Sequence, residues 1–206
     1  MAVLTTAEAK TFLRGIASGS SSQDTLIDTL VTRADQVLSR WCGYPAYTDG
    51  AAGATTFEDQ SYTLYMSGPG GRSLKLPVYP ISSVTSIEDD STEAFDGSTY
   101  LVASGDYTTR KSEGVVLLTP TSVHGEWSDT SSPVLKVVVV AGWSTVPEQL
   151  KQACGEMVKH LWEMREKSGE QSRSQQGISV SYRDEQIPPH LRAILSPYRL
   201  RGVWFG

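Results

Sequence analysis

The sequence predicts an α+β protein: mainly an α-helical bundle, interrupted by an inserted antiparallel β-rich domain and finished by a C-terminal arm. Three observations predict it. Apolar residues recur at helical spacing over residues 24–42 and 147–167. Between 46 and 142 that spacing disappears, and short β-prone runs separated by Gly and Pro replace it. The ending Tyr198-Arg199-Leu200-Arg201-Gly202-Val203-Trp204-Phe205-Gly206 is basic and aromatic and contains no acid. The domain reading is therefore N-terminal helices over 1–45, an inserted β-rich domain over 46–142, a long helix within 143–169, and a loop, short helix and arm over 170–206.

The first helix is expected over 6–15, because Thr5-Thr6-Ala7-Glu8 matches a capping box and Ala9, Phe12, Leu13 and Ile16 share a face. Ser22 or Asp24 is the expected cap of the second, with Gly43 ending it and Pro45 preventing its return. The long helix opens at Pro147, whose fixed φ and missing donor suit a first turn, and Glu148 follows where a carboxylate meets the positive helix end. Its apolar stripe and that of the second helix supply the expected bundle core: Leu30, Ala34, Trp41, Leu150, Cys154, Met157, Leu161 and Trp162. Pro188 and Pro189 open a last short helix at His190, and Pro197 closes it.

Strands are expected at 55–57, 62–66, 73–76, 84–88, 100–102, 107–110, 115–118 and 134–140, with turns at Gly68-Pro69-Gly70-Gly71, Asp96-Gly97, Ser112-Glu113-Gly114 and Ser131-Ser132-Pro133. Short strands joined by turns rather than helices favour an antiparallel sandwich or small barrel. Residues 170–177 read as a polar loop, and 178–182 as a short strand.

With 206 residues the chain can bury a substantial core. Apolar runs such as 134–141, broken by Lys136, fall far short of the roughly 20 residues of a membrane helix. Residues 1–15 lack the pattern of a signal peptide, and there is no Asn to glycosylate. Cys42 and Cys154 read as reduced core residues. The net charge of -5 is uneven: residues 46–142 hold twelve acids and five bases, a balance that repels nucleic acid.

The chemistry-bearing patterns are weak. Gly68-Pro69-Gly70-Gly71 lacks the Lys-Ser/Thr of a phosphate loop. Glu156, His160 and Glu163 share a helical face without a second ligand cluster, so a solvated face is expected there rather than a metal or acid/base pair. His124 and His190 read as surface residues. Glu88, Asp89, Asp90, Glu93 and Asp96 lack the spacing of a calcium loop and read as a hairpin tip with solvated carboxylates. Tyr62, Tyr65, Tyr79, Tyr100 and Tyr107 read as packing residues, with a carbohydrate- or peptide-binding groove in the β-rich insertion as the alternative. No catalytic, cofactor or metal site is expected, and no enzyme activity.

The order of parts carries more than any one residue. A Leu-Thr-Thr-Ala-Glu-Ala-Lys opening precedes a helix ending Trp41-Cys42-Gly43, followed by LPVYPISSVTSI at 76–87 and VAGWSTVPEQLKQA at 140–153. This arrangement resembles the head-to-tail connector, or adaptor, family of tailed bacteriophages, and the resemblance runs from Leu4 to about Tyr198. It implies a structural protein of the virion neck, assembled in the host cytoplasm. Subunits of such a family form a ring, usually of twelve, beneath the portal protein. The ring extends the channel through which double-stranded DNA passes without sequence-specific binding, and it receives a downstream neck, stopper or tail-completion protein. The family's C-terminal segment docks on the portal, which places that role here on the arm, with Arg192, Tyr198, Arg199, Arg201, Trp204 and Phe205 as its contact residues. The inserted segment is longer than many connectors carry. No membrane is involved.

Overall fold

A computed structural model describes residues 3–16, 21–46, 54–95, 100–166, 172–175, 178–181 and 187–200. The chain divides into two compact units: Met1–Cys42 with Val146–Arg199, and Gly43–Thr145 with Leu200–Gly206. Four helices and antiparallel sheets make a mixed α and β protein in which strand residues are as numerous as helical ones among those described, so a mainly helical bundle is not what forms.

The helical unit is built around one helix. Helix α1 (Thr6–Phe12), α2 (Asp24–Trp41) and α4 (Pro189–Leu195) all pack on α3 (Glu148–Glu166). Side-chain pairs give their directions. Lys10 meets Asp24 at 2.5 Å and Thr6 bonds Asp28, so α1 and α2 run antiparallel. Glu8 meets Lys151 at 3.7 Å and Phe12 lies against Gly155, so α1 runs parallel to α3. His190 meets Glu156 at 3.0 Å and the Tyr198 hydroxyl donates to Gln149 at 2.7 Å, so α4 is antiparallel to α3. The buried stripe comprises Leu150, Ala153, Cys154, Met157 and Val158 of α3, Ile27, Leu30, Val31, Ala34 and Leu38 of α2, and Leu191 and Leu195 of α4.

The caps depart from expectation in two places. The Thr5–Glu8 capping box forms, with the Glu8 amide donating to Thr5 Oγ1 at 3.2 Å and the Thr5 amide to Glu8 Oε2 at 2.8 Å. These bonds from Thr5, with Lys151 nearby, hold the Glu8 carboxyl below the usual carboxylate range. Helix α2, however, starts behind Gln23 with no side-chain cap, because Asp24 lies inside the helix and pairs with Lys10. Pro147 stands just ahead of α3, its carbonyl accepting from the Leu150 and Lys151 amides. Residues 172–175, read as loop, form strand β7 (Ser172–Gln175), which pairs with β8 (Ile178–Ser181); six strands precede it.

In the second unit, β1 (Gln60–Pro69), β6 (Asp129–Ala141) and β3 (Ile81–Asp89) form a sheet with β6 in the middle. A second sheet orders β2 (Ser73–Lys75), β5 (Val115–Leu118) and β4 (Tyr107–Arg110). Segment 76–80 stitches them together: the Leu76 amide donates to the Gly114 carbonyl and the Ile81 amide to the Lys111 carbonyl. The expected strand at 100–102 reduces to a single bridge between Leu101 and Glu88, and 55–57 forms none. Strand β6 runs straight through the expected turn at Ser131-Ser132-Pro133. Pairing with β1 jumps from Met66↔Leu135 to Gly68↔Thr130, so Pro133 falls in a bulge where no ladder bond needs its missing N–H.

Strand β6 ends at Gly142, which has φ +119°; a Cβ there would lie 2.3 Å from the Glu58 carbonyl oxygen. Its amide donates to the Pro80 carbonyl at 2.8 Å, and the Trp143 amide to that of Phe57 at 2.9 Å. The Trp143 indole N–H donates to the Tyr44 hydroxyl at 3.0 Å, and the Tyr44 and Phe57 rings meet edge-on at 5.3 Å.

Most of the acid-rich segment is structural rather than a tip of solvated carboxylates, Glu93 alone among its described acids being exposed. Glu88 is buried and pairs with Lys136 at 3.0 Å, and Asp89 accepts from the Ser128 amide and hydroxyl at 3.1 and 2.6 Å. Asp90 is fully buried and accepts from the Thr92 amide and hydroxyl and from the Phe95 amide at 2.7–2.9 Å. Burial alone would raise the Asp90 carboxyl, but the bonds from Thr92, Phe95 and Ala94 together outweigh it and hold its pKa below the usual range. Asp96 lies outside the described residues.

Three outcomes test this packing. Gly155→Ala places a Cβ 2.4 Å from the Phe12 ring, so it is expected to destabilise the protein by roughly 1–3 kcal/mol in urea titration despite alanine's better helix propensity. An unchanged midpoint would mean that α1 does not seat there. Leu191→Ala is expected to cost about 2–5 kcal/mol as a core truncation; a cost near zero would return α4 to the status of a free arm. A depressed carboxyl stabilises the fold above its unfolded pKa, about 3.9 for Asp, and loses that contribution as pH falls through the lower folded value. Asp90→Asn should therefore flatten the acid limb of the stability profile, and a limb as steep as the parent's would contradict the assignment.

Candidate interaction surfaces

The C-terminal segment is not a free arm as far as Leu200. Ile187, Leu191 and Leu195 are buried, and the Cys42 thiol lies 4.0 Å from the Leu195 carbonyl. Arg192 donates to the Ile187 carbonyl at 3.1 Å, Tyr198 reaches Gln149, and the Arg199 guanidinium lies 4.8 Å from the centre of the Trp41 ring. Arg192 and Arg199 are nevertheless exposed and Tyr198 half-exposed, so all three present surface on a segment held in place by the core. Arg201, Trp204 and Phe205 lie outside the described residues.

Of the expected core residues, Leu30, Ala34, Leu150, Cys154 and Met157 are buried. Trp41, Leu161 and Trp162 are only half-buried: Trp41 sits under Arg199, and Trp162 carries the Arg165 guanidinium 4.1 Å from its ring centre. Met164 beside them is half-buried as well, so the last turns of α3 keep an apolar patch in partial contact with solvent.

The β1-β6-β3 sheet has a second face of similar character. Tyr62, Val137, Val139 and Ile87 point into the core, while Ser61, Thr63, Tyr65 and Ser67 are exposed, opposite Val140, Val138 and Lys136. Tyr62 and Tyr65 are an odd number of residues apart and so lie on opposite faces of β1, which removes the common groove they would need to bind a ligand together. Tyr65 is 56% exposed and meets Phe95 edge-on at 5.4 Å, and Lys136 lies 5.8 Å from the Phe95 ring centre. Phe95 reaches this position with φ +47°, two residues after Glu93 at φ +58°; the Asp90 carboxylate holds the turn. No spacing in the sequence announces this presentation of Phe95. Tyr79 and Tyr100 are half-buried, as is Tyr107, whose phenol burial shifts upward.

The Glu156, His160 and Glu163 face does not gather into a site. Glu156 turns to His190 and to Gln152, whose amide donates at 3.0 Å. Among the described residues no group of three or more His, Cys, Asp or Glu is placed to hold a metal ion, and no helix is long and apolar enough to cross a membrane. Both cysteines are buried free thiols; burial pushes Cys42 up to about 12, with Arg199 opposing, and raises Cys154 further. Neither is poised as a nucleophile.

Comparisons with known proteins place the chain in a family. No curated protein matches the sequence. Among solved structures, a chain described as "Virion of native gene transfer agent (GTA) particle" is similar in fold, with a TM-score of 0.59 and 17% identity, covering 99% of this chain and 93% of that one. A model of the family described as "Head completion protein" matches residues 2–200, so both units fall within it. The chain belongs to the head completion protein family, and it is a structural component of a phage virion.

Proposed function

We propose that this head completion protein is the head-to-tail adaptor of a tailed phage. Its copies form a closed ring, dodecameric on the family pattern, beneath the portal, extend the DNA channel and receive the next neck or tail-completion protein. The observation that carries the reading is the family match across residues 2–200, which leaves neither unit over for a separate activity. Two features of the chain support it. The unit containing the sheets has twelve acids and six bases, a surface along which DNA passes without adhering. Tyr198 and Arg199 project from a segment that α3 and α2 hold fixed, so a docking contact there loses little conformational entropy on binding. Portal docking is assigned to Arg192, Tyr198 and Arg199 together with residues 201–206.

Electron microscopy of the protein mixed with its portal ring tests the reading. Full-length protein is expected to add a ring of density under the portal. Deletion of residues 201–206, which leaves α4 intact, is expected to weaken that attachment at least about tenfold without changing the unfolding midpoint. Portal rings that stay bare with full-length protein would overturn the adaptor role; full attachment of the truncated chain would move the docking surface elsewhere.

A further inference from the structure

We infer that the outer face of the β1-β6-β3 sheet is one half of a subunit–subunit contact whose other half is the C-terminal end of α3 on a second copy of this chain. The inference rests on the ring reading above and names the two surfaces that mate. Its first ground is strand β6. Val137-Val138-Val139-Val140-Ala141 is an unbroken apolar run on a strand paired at both edges, the pattern of a strand covered on both faces. Within one chain one face is fully covered and the other only in part: Val137, Val139 and Ala141 are fully buried, while Val138 and Val140 keep partial exposure between Ser61, Thr63, Ser83 and Ser86.

The second ground is at the rim of that face. The turn ending at Phe95 keeps two non-glycine residues at positive φ, against a buried carboxylate, to set Phe95 on Tyr65 in partial contact with solvent. Strain of this kind is held where a surface has a use. The Glu88–Lys136 ion pair neutralises the charge beside it, leaving the face apolar and hydroxyl-bearing.

The third ground selects the occupant. A closed ring needs two different surfaces on each copy. Among the described residues of the helical unit, Leu161, Trp162 and Met164 on α3 form an incompletely covered apolar patch, whereas the more exposed Leu101 and Val123 lie on the same unit as the sheet face. Charge disfavours sheet against sheet: the unit holding the two three-stranded sheets carries net -6, so two such units repel, whereas the helical unit, with twelve bases and eleven acids, carries net +1. Arg165 at the α3 patch and Glu93 at the sheet rim are exposed opposite charges that would flank the contact, with the exposed Glu163 beside Arg165.

Cysteine cross-linking on portal-bound protein tests the pairing, with the two native thiols buried and silent. Single variants Val138→Cys and Leu161→Cys are mixed, and the double variant is oxidised alone. The expected result is a heterodimer from the mixture, a ladder of multimers from the double variant, and at least about tenfold less of either product from each single variant alone. Homodimers of Val138→Cys would assign the sheet to a like-with-like contact and overturn the pairing, as would ring assembly without any cross-link. Because Val138→Cys alone could disturb the sheet, Thr63→Cys on the neighbouring strand serves as the second probe of the same face, and unfolding midpoints are measured for each. Failure of unmodified protein to assemble on the portal would overturn the ring reading itself, and this pairing with it.

Discussion

Residue 142 cannot carry a side chain, and the β unit closes around that constraint. Its backbone lies at φ +119° between the carbonyl of Pro80, which takes its amide, and that of Glu58, which stands where a Cβ would be. One residue on, Trp143 binds the Phe57 carbonyl through its amide and the Tyr44 hydroxyl through its indole. Segments around 57, 80 and 142 are thus fixed together by backbone bonds that only glycine at 142 permits, and the Trp143 indole ties in residue 44. The two sequence stretches most typical of connectors, 76–87 and 140–153, touch at this point. The apolar positions Leu76, Val78, Ile81 and Ile87 of the first are core, and the Gly-Trp pair of the second ends the central strand.

In the helical unit the corresponding role falls to α3. Three helices pack on it, and close approach is again what matters: Phe12 lies where Gly155 leaves no side chain. The Lys10–Asp24 pair, whose lysine is buried, and the Glu8–Lys151 pair both set register, and only the second is of the exposed kind that adds little free energy. Stability comes instead from the buried stripe and from α4, whose Leu191 and Leu195 complete it.

Much of this was legible in the sequence wherever the signal is local. Strands at 107–110 and 115–118 are bounded by turn residues and filled with β-branched ones, and they form as expected. The Thr5 capping box is a four-residue pattern and is present. Illegible features depend on distant partners. Pro133 reads as a turn unless the bulge in its pairing with β1 is known. Strand β7 has no apolar alternation to reveal it. The acidic run reads as solvated because its hydroxyl and amide donors lie at Thr92, Phe95 and Ser128 in orientations set by the fold. The C-terminal segment reads as unpartnered because Arg199 and Trp41, or Tyr198 and Gln149, share no local pattern.

That last misreading changes what a docking segment is. A flexible tail loses conformational freedom when it binds, on the order of 1–2 kcal/mol per ordered residue, and must recover it from contacts. Here residues 187–200 are already held, through a hydroxyl bond to α3 and a guanidinium stacked on α2. The residues presented to a partner are held at fixed separations by the same core that folds the subunit. Fixed separation suits an assembly in which each copy must meet several neighbours at once, because one contact then positions the next. On the docking role proposed above, attachment is tied to folding: a subunit that has not buried Leu191 and Leu195 cannot present Tyr198 and Arg199 in place.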